Sequence, residues 1–102
     1  MDRVAVLTDI LNQNPNDAFA RYGLAMEYSN QGDVNRALDE FGKLLASNPD
    51  YTAGYFMAAQ TLARANRNEE AKKMLGDGIV SAKRTGSAHA QSEMEGMLAD
   101  LG

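Results

Sequence analysis

Apolar residues recur along this chain at helical spacing, in runs separated by short polar breaks. Val4, Leu7, Ile10 and Leu11 form the first run, with Asp2, Arg3, Asp9 and Asn12 between them, which predicts a short amphipathic helix. Asn14-Pro15-Asn16 ends it, because Pro15 lacks an N–H and restricts the residue before it. Phe19, Tyr22, Leu24, Ala25, Met26 and Tyr28 predict a second helix from about Asp17 to Asn30, capped by Asn16 or Asp17. Its apolar arc is too broad for one stripe, as expected of a helix with neighbours on two sides. Gln31-Gly32-Asp33 makes a turn in which Gly32 takes positive φ and Asp33 caps the third helix.

That third helix buries Val34, Ala37, Leu38, Phe41, Leu44 and Leu45 and keeps Arg36, Asp39, Glu40 and Lys43 mainly outside. Ser47-Asn48-Pro49-Asp50 is expected to end it and to cap a fourth helix, Tyr51 to about Ala65, with Tyr55, Phe56, Met57, Ala58, Ala59 and Leu62. Asn66-Arg67-Asn68 then takes the place of the glycine turn, asparagine being tolerant of the left-handed region. The fifth helix, Glu69 to about Lys83, packs through Ala71, Met74, Leu75, Ile79 and Val80. Gly76 and Gly78 within it each cost about 1 kcal/mol relative to alanine; they either permit a close approach or mark the weaker helix. Ser87 can cap a last helix from Ala88 to about Leu101, with Ala90, Met94, Met97, Leu98 and Leu101 on its apolar side.

The runs repeat in a register of 34 residues. Leu24, Ala25 and Tyr28 fall on Ala58, Ala59 and Leu62, and Ala37, Phe41 and Leu45 fall on Ala71, Leu75 and Ile79. Upstream, Phe41, Leu44, Leu45, Asn48 and Pro49 fall on Leu7, Ile10, Leu11, Asn14 and Pro15. Short loops make each helix antiparallel to the next. The expected fold is all-α, a superhelix of antiparallel helix pairs with about six helices in one domain over residues 1–102. Its parts are a half repeat (1–14), a repeat (18–51), a degenerate repeat (52–85) and a capping helix (87–101), since a terminal repeat has one face without a neighbour.

Composition narrows the partners. With 44% apolar and 24% charged residues the 102-residue chain is an ordinary globular one. A net charge of −4 and no clustered basic patch give no reason to expect nucleic acid. No apolar run approaches the roughly 20 residues that span a bilayer, so no membrane partner is expected. The polar N-terminus does not resemble a secretory signal, which makes the cytoplasm the expected location. There is no cysteine, hence no disulfide or redox thiol.

Leu24, Ala25, Tyr28, Gly32, Asp33, Ala37, Phe41 and Pro49 closely resemble the tetratricopeptide repeat signature: a large–small pair, an aromatic, a Gly-Asp turn, a packing alanine, an aromatic and a closing proline. Arg21 stands where that family often has tryptophan, and Leu44 where it usually has a second alanine. The second copy keeps Tyr55 at the tryptophan position but loses the turn glycine and the proline. The resemblance implies that the first helix of each repeat lines a concave groove receiving an extended peptide or a partner's helix. Carried over by position, the partner-binding residues are Phe19, Tyr22, Met26, Asn30, Phe56, Met57, Gln60 and Arg64, with Gly23, Ser29, Ala53 and Ala63 beside them. Aromatic and methionine side chains supply adaptable contact area. Asn30, Gln60 and Arg64 can fix orientation, Arg64 by pairing with a carboxylate. The expected function is a non-catalytic protein-interaction scaffold; the alternative is a homo-oligomer that hides the same apolar surface between copies. Some family members clamp a partner's terminal carboxylate with lysine and asparagine; Tyr22 and Met26 occupy two of those positions, so that mode is not expected.

Chemistry finds little support. His89 is the single histidine, so no histidine–cysteine zinc cluster can form within one chain. His89 and Glu93 share a helix face, which reads as a surface pair rather than an acid–base site. Glu69-Glu70 before Lys72-Lys73 is a solvent-facing charge pattern, Lys83-Arg84 complements a helix dipole, and Gly76-Asp77-Gly78 lacks the strand–turn–helix setting of a phosphate loop. Neither a cofactor nor an enzymatic activity is expected.

Overall fold

The structure, a computed structural model, describes residues 2–102. Six helices follow one another with short connections: α1 Arg3–Gln13, α2 Ala18–Asn30, α3 Val34–Ser47, α4 Thr52–Arg64, α5 Asn68–Thr85 and α6 Ala88–Leu101. Each packs on the next, and α4 also touches α2 while α6 also touches α4. This is the all-α stack of helix pairs that the 34-residue register predicts. The molecule measures 39 × 29 × 19 Å, and its least dimension is about two helix diameters, as two layers of helices require.

The turns explain the register. Gly32 lies at φ 79° and Asn66 at φ 64°. In both turns the left-handed residue donates its N–H back to the helix, Gly32 to Ser29 O at 3.0 Å and Asn66 to Ala63 O at 3.0 Å. The next residue closes a second bond, Asp33 N to Tyr28 O and Arg67 N to Leu62 O, each 2.9 Å. Asparagine thus reproduces the glycine turn.

Helix starts divide in two groups. Asp2, Asp17 and Asp33 accept from Val4, Ala20 and Arg36 N–H groups, capping the first three helices. The last three begin at Tyr51, Arg67 and Ser87 without a side-chain cap. Two expectations are corrected here. Asp50 does not cap α4, because its carboxylate pairs with Arg84 at the end of α5. Ser87 precedes α6, but its hydroxyl bonds Thr85 Oγ1 at 3.0 Å instead. For α5, Glu69 and Glu70 in the first turn and Lys83 and Arg84 in the last complement the macrodipole.

Alanines set the helix spacing. Ala25, Ala37, Ala58, Ala59 and Ala71 are wholly buried, and their small volume lets neighbouring helices cross closely. Three core clusters run along the stack. Leu11 and Leu24 join α1 to α2; Phe41, Leu44 and Ala58 join α2, α3 and α4; Leu62, Leu75 and Met94 join α4, α5 and α6. Met94, 1% exposed, carries α6 into the last cluster.

The two glycines of α5 part company. A Cβ on Gly78 would meet Tyr55 Cβ at 2.6 Å and Met94 Sδ at 2.5 Å, whereas one on Gly76 would meet nothing within 4 Å. Gly78 is therefore the close approach that lets α4, α5 and α6 pack together. Glu40, expected outside, is only 9% exposed. It is drawn in by Arg21 on α2, whose Nη1 lies 2.6 Å from Glu40 Oε1, and Lys43 adds a second contact at 3.6 Å.

Candidate functional site

Helices α2 and α4, the first helices of the two repeats, lie side by side and run the same way, because each is antiparallel to α3 between them. The residues assigned to partner binding lie along these two helices, but their surroundings differ. Phe19, in the first turn of α2, is 77% exposed and belongs to none of the core clusters. Tyr22, one turn on, is half-buried: its ring tilts against Tyr51 at 5.3 Å between centroids and meets Phe41 edge-on at 6.4 Å. Burial, with a smaller contribution from Tyr51, raises its pKa above the ordinary tyrosine value. Met26 and Met57 are half-buried over the same cluster as Tyr22, while Phe56 packs into the neighbouring cluster with α6. Gln60 is half-buried, and Asn30 and Arg64 are exposed.

The far end of this face is organised by hydroxyls. Thr61 Oγ1 donates to Met57 O at 2.9 Å, which uses its single hydroxyl proton. The 2.7 Å bond between Ser29 Oγ and Thr61 Oγ1 therefore runs from Ser29 to Thr61. Arg64 Nη2 in turn donates to Ser29 Oγ at 2.8 Å. The result is a directed chain, Arg64 to Ser29 to Thr61 to Met57 O, that ties α2 to α4 and holds an exposed guanidinium by one corner. Ser29 and Thr61 are 9% and 3% exposed. Beside them a cavity of about 350 Å³ opens, lined by Asn30, Gly32, Val34 and Ala65 together with Ser29, Thr61 and Arg64.

Arg64 differs electrostatically from the other arginines. Arg3, Arg21, Arg36, Arg67 and Arg84 each pair with a carboxylate, Glu27, Glu40, Asp33, Glu70 and Asp50 respectively. Among the described residues Arg64 pairs with none. The structure thus brings Asn30 and Arg64 together at one cavity, seats Tyr22, Met26 and Met57 on one cluster, and leaves Phe19 apart at the opposite end. Sequence reasoning missed Thr61. A hydroxyl between Ala58-Ala59 and Leu62 on a buried helix face was the available signal, since a buried polar group needs a partner.

His89 is exposed on α6, its imidazole 3.2 Å from Glu93. No helix among the described residues is long and apolar enough to cross a membrane.

Comparison with known proteins agrees with this architecture. The family model described as tetratricopeptide repeat matches residues 28–92. A tetratricopeptide-repeat-containing protein of Pseudomonas aeruginosa is 26% identical over 95 residues, covering 93% of this chain and 90% of the relative. The solution structure of a tetratricopeptide repeat domain protein from Salinibacter ruber superimposes with a TM-score of 0.80 at 30% identity, covering 86% of this chain and 89% of that one. The TPR2B domain of yeast Sti1, solved in a complex with pHsp70, has a TM-score of 0.88 at 14% identity over 96% of this chain and 78% of its own, a likeness of fold alone. The chain belongs to the tetratricopeptide repeat family, whose fold generally mediates protein–protein interaction.

Proposed function

We propose that this protein is a non-catalytic interaction scaffold that binds an extended peptide segment of another protein along α2 and α4. The observation that carries this reading is Phe19, a large aromatic left 77% exposed on the first helix of a repeat. Isolated exposed apolar residues are unremarkable, but this one lies along the same face as Met26, Met57 and the Arg64 cavity. An apolar anchor at one end and a fixed cation at the other suit a peptide with both kinds of side chain. The yeast Sti1 domain, solved in a complex with pHsp70, supports such a use of the fold. Phe19, Tyr22, Met26, Asn30, Phe56, Met57, Gln60 and Arg64 form the contact surface, in which Tyr22, Met26, Phe56 and Met57 are each half-buried against the core clusters.

The test is a selection of random dodecapeptides on the immobilised protein, followed by amide chemical-shift mapping of an enriched peptide. Shifts gathered at Phe19, Met57 and Gln60, and binding weakened by Phe19→Ser, are the expected result. Enrichment of no peptide, or shifts confined to α3 and α5, would sink the reading. A stable dimer in dilute solution that becomes monomeric with Phe19→Ser would instead establish the competing one, self-association through the same residue.

A further inference from the structure

We infer that the Arg64 cavity is a carboxylate subsite, which takes the side chain of an aspartate or glutamate within the bound peptide. The inference rests on the peptide-binding reading above and adds the chemistry of one position in the partner.

Three observations converge on it. Arg64 is the arginine without a carboxylate partner among the described residues: in the last turn of α4 it complements the carbonyl end of the helix, but it pairs with no side-chain anion of the fold. It is also held in place: the bond from Nη2 to Ser29 Oγ, backed by the buried Thr61 hydroxyl and Met57 O, restrains a side chain that would otherwise sample many rotamers. That bond uses one of five guanidinium protons, leaving a free edge for two parallel N–H···O bonds to a carboxylate. Finally, the cavity beside it has room for a side chain, about 350 Å³, and Asn30 on its wall offers an amide for the partner's backbone.

The occupant is a side-chain carboxylate because the cavity lies where α2 and α4 end, at Asn30 and Arg64, and a bound chain can continue past it. Phe19 and Asn30 are separated along the α2 axis by about 16 Å, which an extended chain covers in about five residues. The recognised pattern is therefore a bulky apolar residue with an acidic one about five positions away.

Random dodecapeptides displayed with both ends blocked are the probe, in parallel with a library whose C-termini are free. The wild type should enrich aspartate or glutamate at one fixed offset from an apolar residue in both libraries. Arg64→Gln should keep the apolar preference and lose the acidic one. For a synthetic enriched peptide, replacing its acidic residue by the matching amide should weaken binding to the wild type by roughly ten- to hundredfold, and to Arg64→Gln by less than about twofold. An acidic preference that survives Arg64→Gln overturns the inference, as does enrichment without acidic residues. Enrichment seen only as a free C-terminal carboxylate overturns the side-chain assignment. Failure to enrich any peptide defeats the groove itself, which separates the two readings.

Discussion

Arg21 and Tyr55 stand one repeat apart and perform the same task with different chemistry. Arg21 Nη2 donates to Pro15 O at 3.2 Å and Tyr55 Oη donates to Pro49 O at 2.7 Å. In both places the side chain reaches the carbonyl of the proline that closes the preceding helix, and so fixes how one repeat meets the next. The positional equivalence survives substitution because the backbone carbonyl is always present, and any donor of sufficient reach can bind it.

Arg21 carries a second duty, and this gives the first prediction. Its pair with Glu40 is largely buried, the side chains being 18% and 12% exposed. Arg21→Ala leaves Glu40 with Lys43 alone and should destabilise the fold by about 1–3 kcal/mol, read from urea midpoints. The double variant Arg21→Met/Glu40→Leu should recover to within about 1 kcal/mol of the wild type, because an apolar pair of similar volume removes both desolvated charges. A double variant as unstable as Arg21→Ala would show that the pair does more than satisfy itself.

The two glycines of α5 give opposite expectations. Gly78→Ala forces a methyl against Tyr55 Cβ at 2.6 Å, an atom fixed to the backbone of α4, and should cost about 1–3 kcal/mol by overpacking. Gly76→Ala meets open space and should stabilise the helix by about 0.5–1 kcal/mol. Thermal unfolding of the two variants distinguishes them by sign. Equal effects would mean that α5 does not approach α4 so closely.

Much of the fold is legible in the sequence, and the gaps share a cause. Periodicity identifies most of each buried helix face and where helices stop, so the six helices and the Asn66 substitute for Gly32 can be read directly, but Val80, assigned to packing on α5, is 57% exposed. Periodicity does not identify partners on other helices. Glu40 sits among charged residues and so reads as exposed, and only Arg21, 19 residues away, explains its burial. Asp50 has the neighbours of a cap, yet it is held by Arg84, 34 residues on. Part of the candidate site is hidden for the same reason. Asn30 and Arg64 follow from repeat position, but the hydroxyl chain that orients Arg64 links helices 35 residues apart. Tyr22 shows the converse limit: repeat position puts it on the contact surface, whereas its packing against Tyr51 places it partly in the core.

The half-buried tyrosines predict an alkaline limit to stability. Burial is the main cause raising Tyr22, Tyr51 and Tyr55, with Tyr51 adding to Tyr22, Asp17 to Tyr51, and Asp77 to Tyr55. A group whose folded pKa is raised favours the fold while protonated. Its contribution is complete below the ordinary value of about 10 and is lost as pH rises through the raised value. Denaturant midpoints should therefore fall as pH is raised above about 10. Lys43, held up by its bond to Asp39 and by Glu40, also loses its proton in alkali, so the share of Tyr22 alone is the difference between the wild type and Tyr22→Phe. If Tyr22→Phe loses stability with pH as steeply as the wild type, the ring is less desolvated than its packing implies.

The direction of the hydroxyl chain makes the last prediction asymmetric. Thr61 both accepts from Ser29 and donates to Met57 O, whereas Ser29 donates to Thr61 and accepts from Arg64. Thr61→Val keeps the shape but strands the nearly buried Ser29 proton, and should cost about 1–2 kcal/mol. Ser29→Ala removes that proton and leaves the Thr61–Met57 bond intact, so it should cost less than about 1 kcal/mol. Its main effect should fall on Arg64, which loses its anchor and gains rotamer freedom, visible as narrowing of the Arg64 Nε–Hε signal toward that of a free side chain. Were Ser29→Ala the more damaging of the two to stability, the chain would have to run the other way, with the Thr61 proton directed at Ser29 rather than at the Met57 carbonyl.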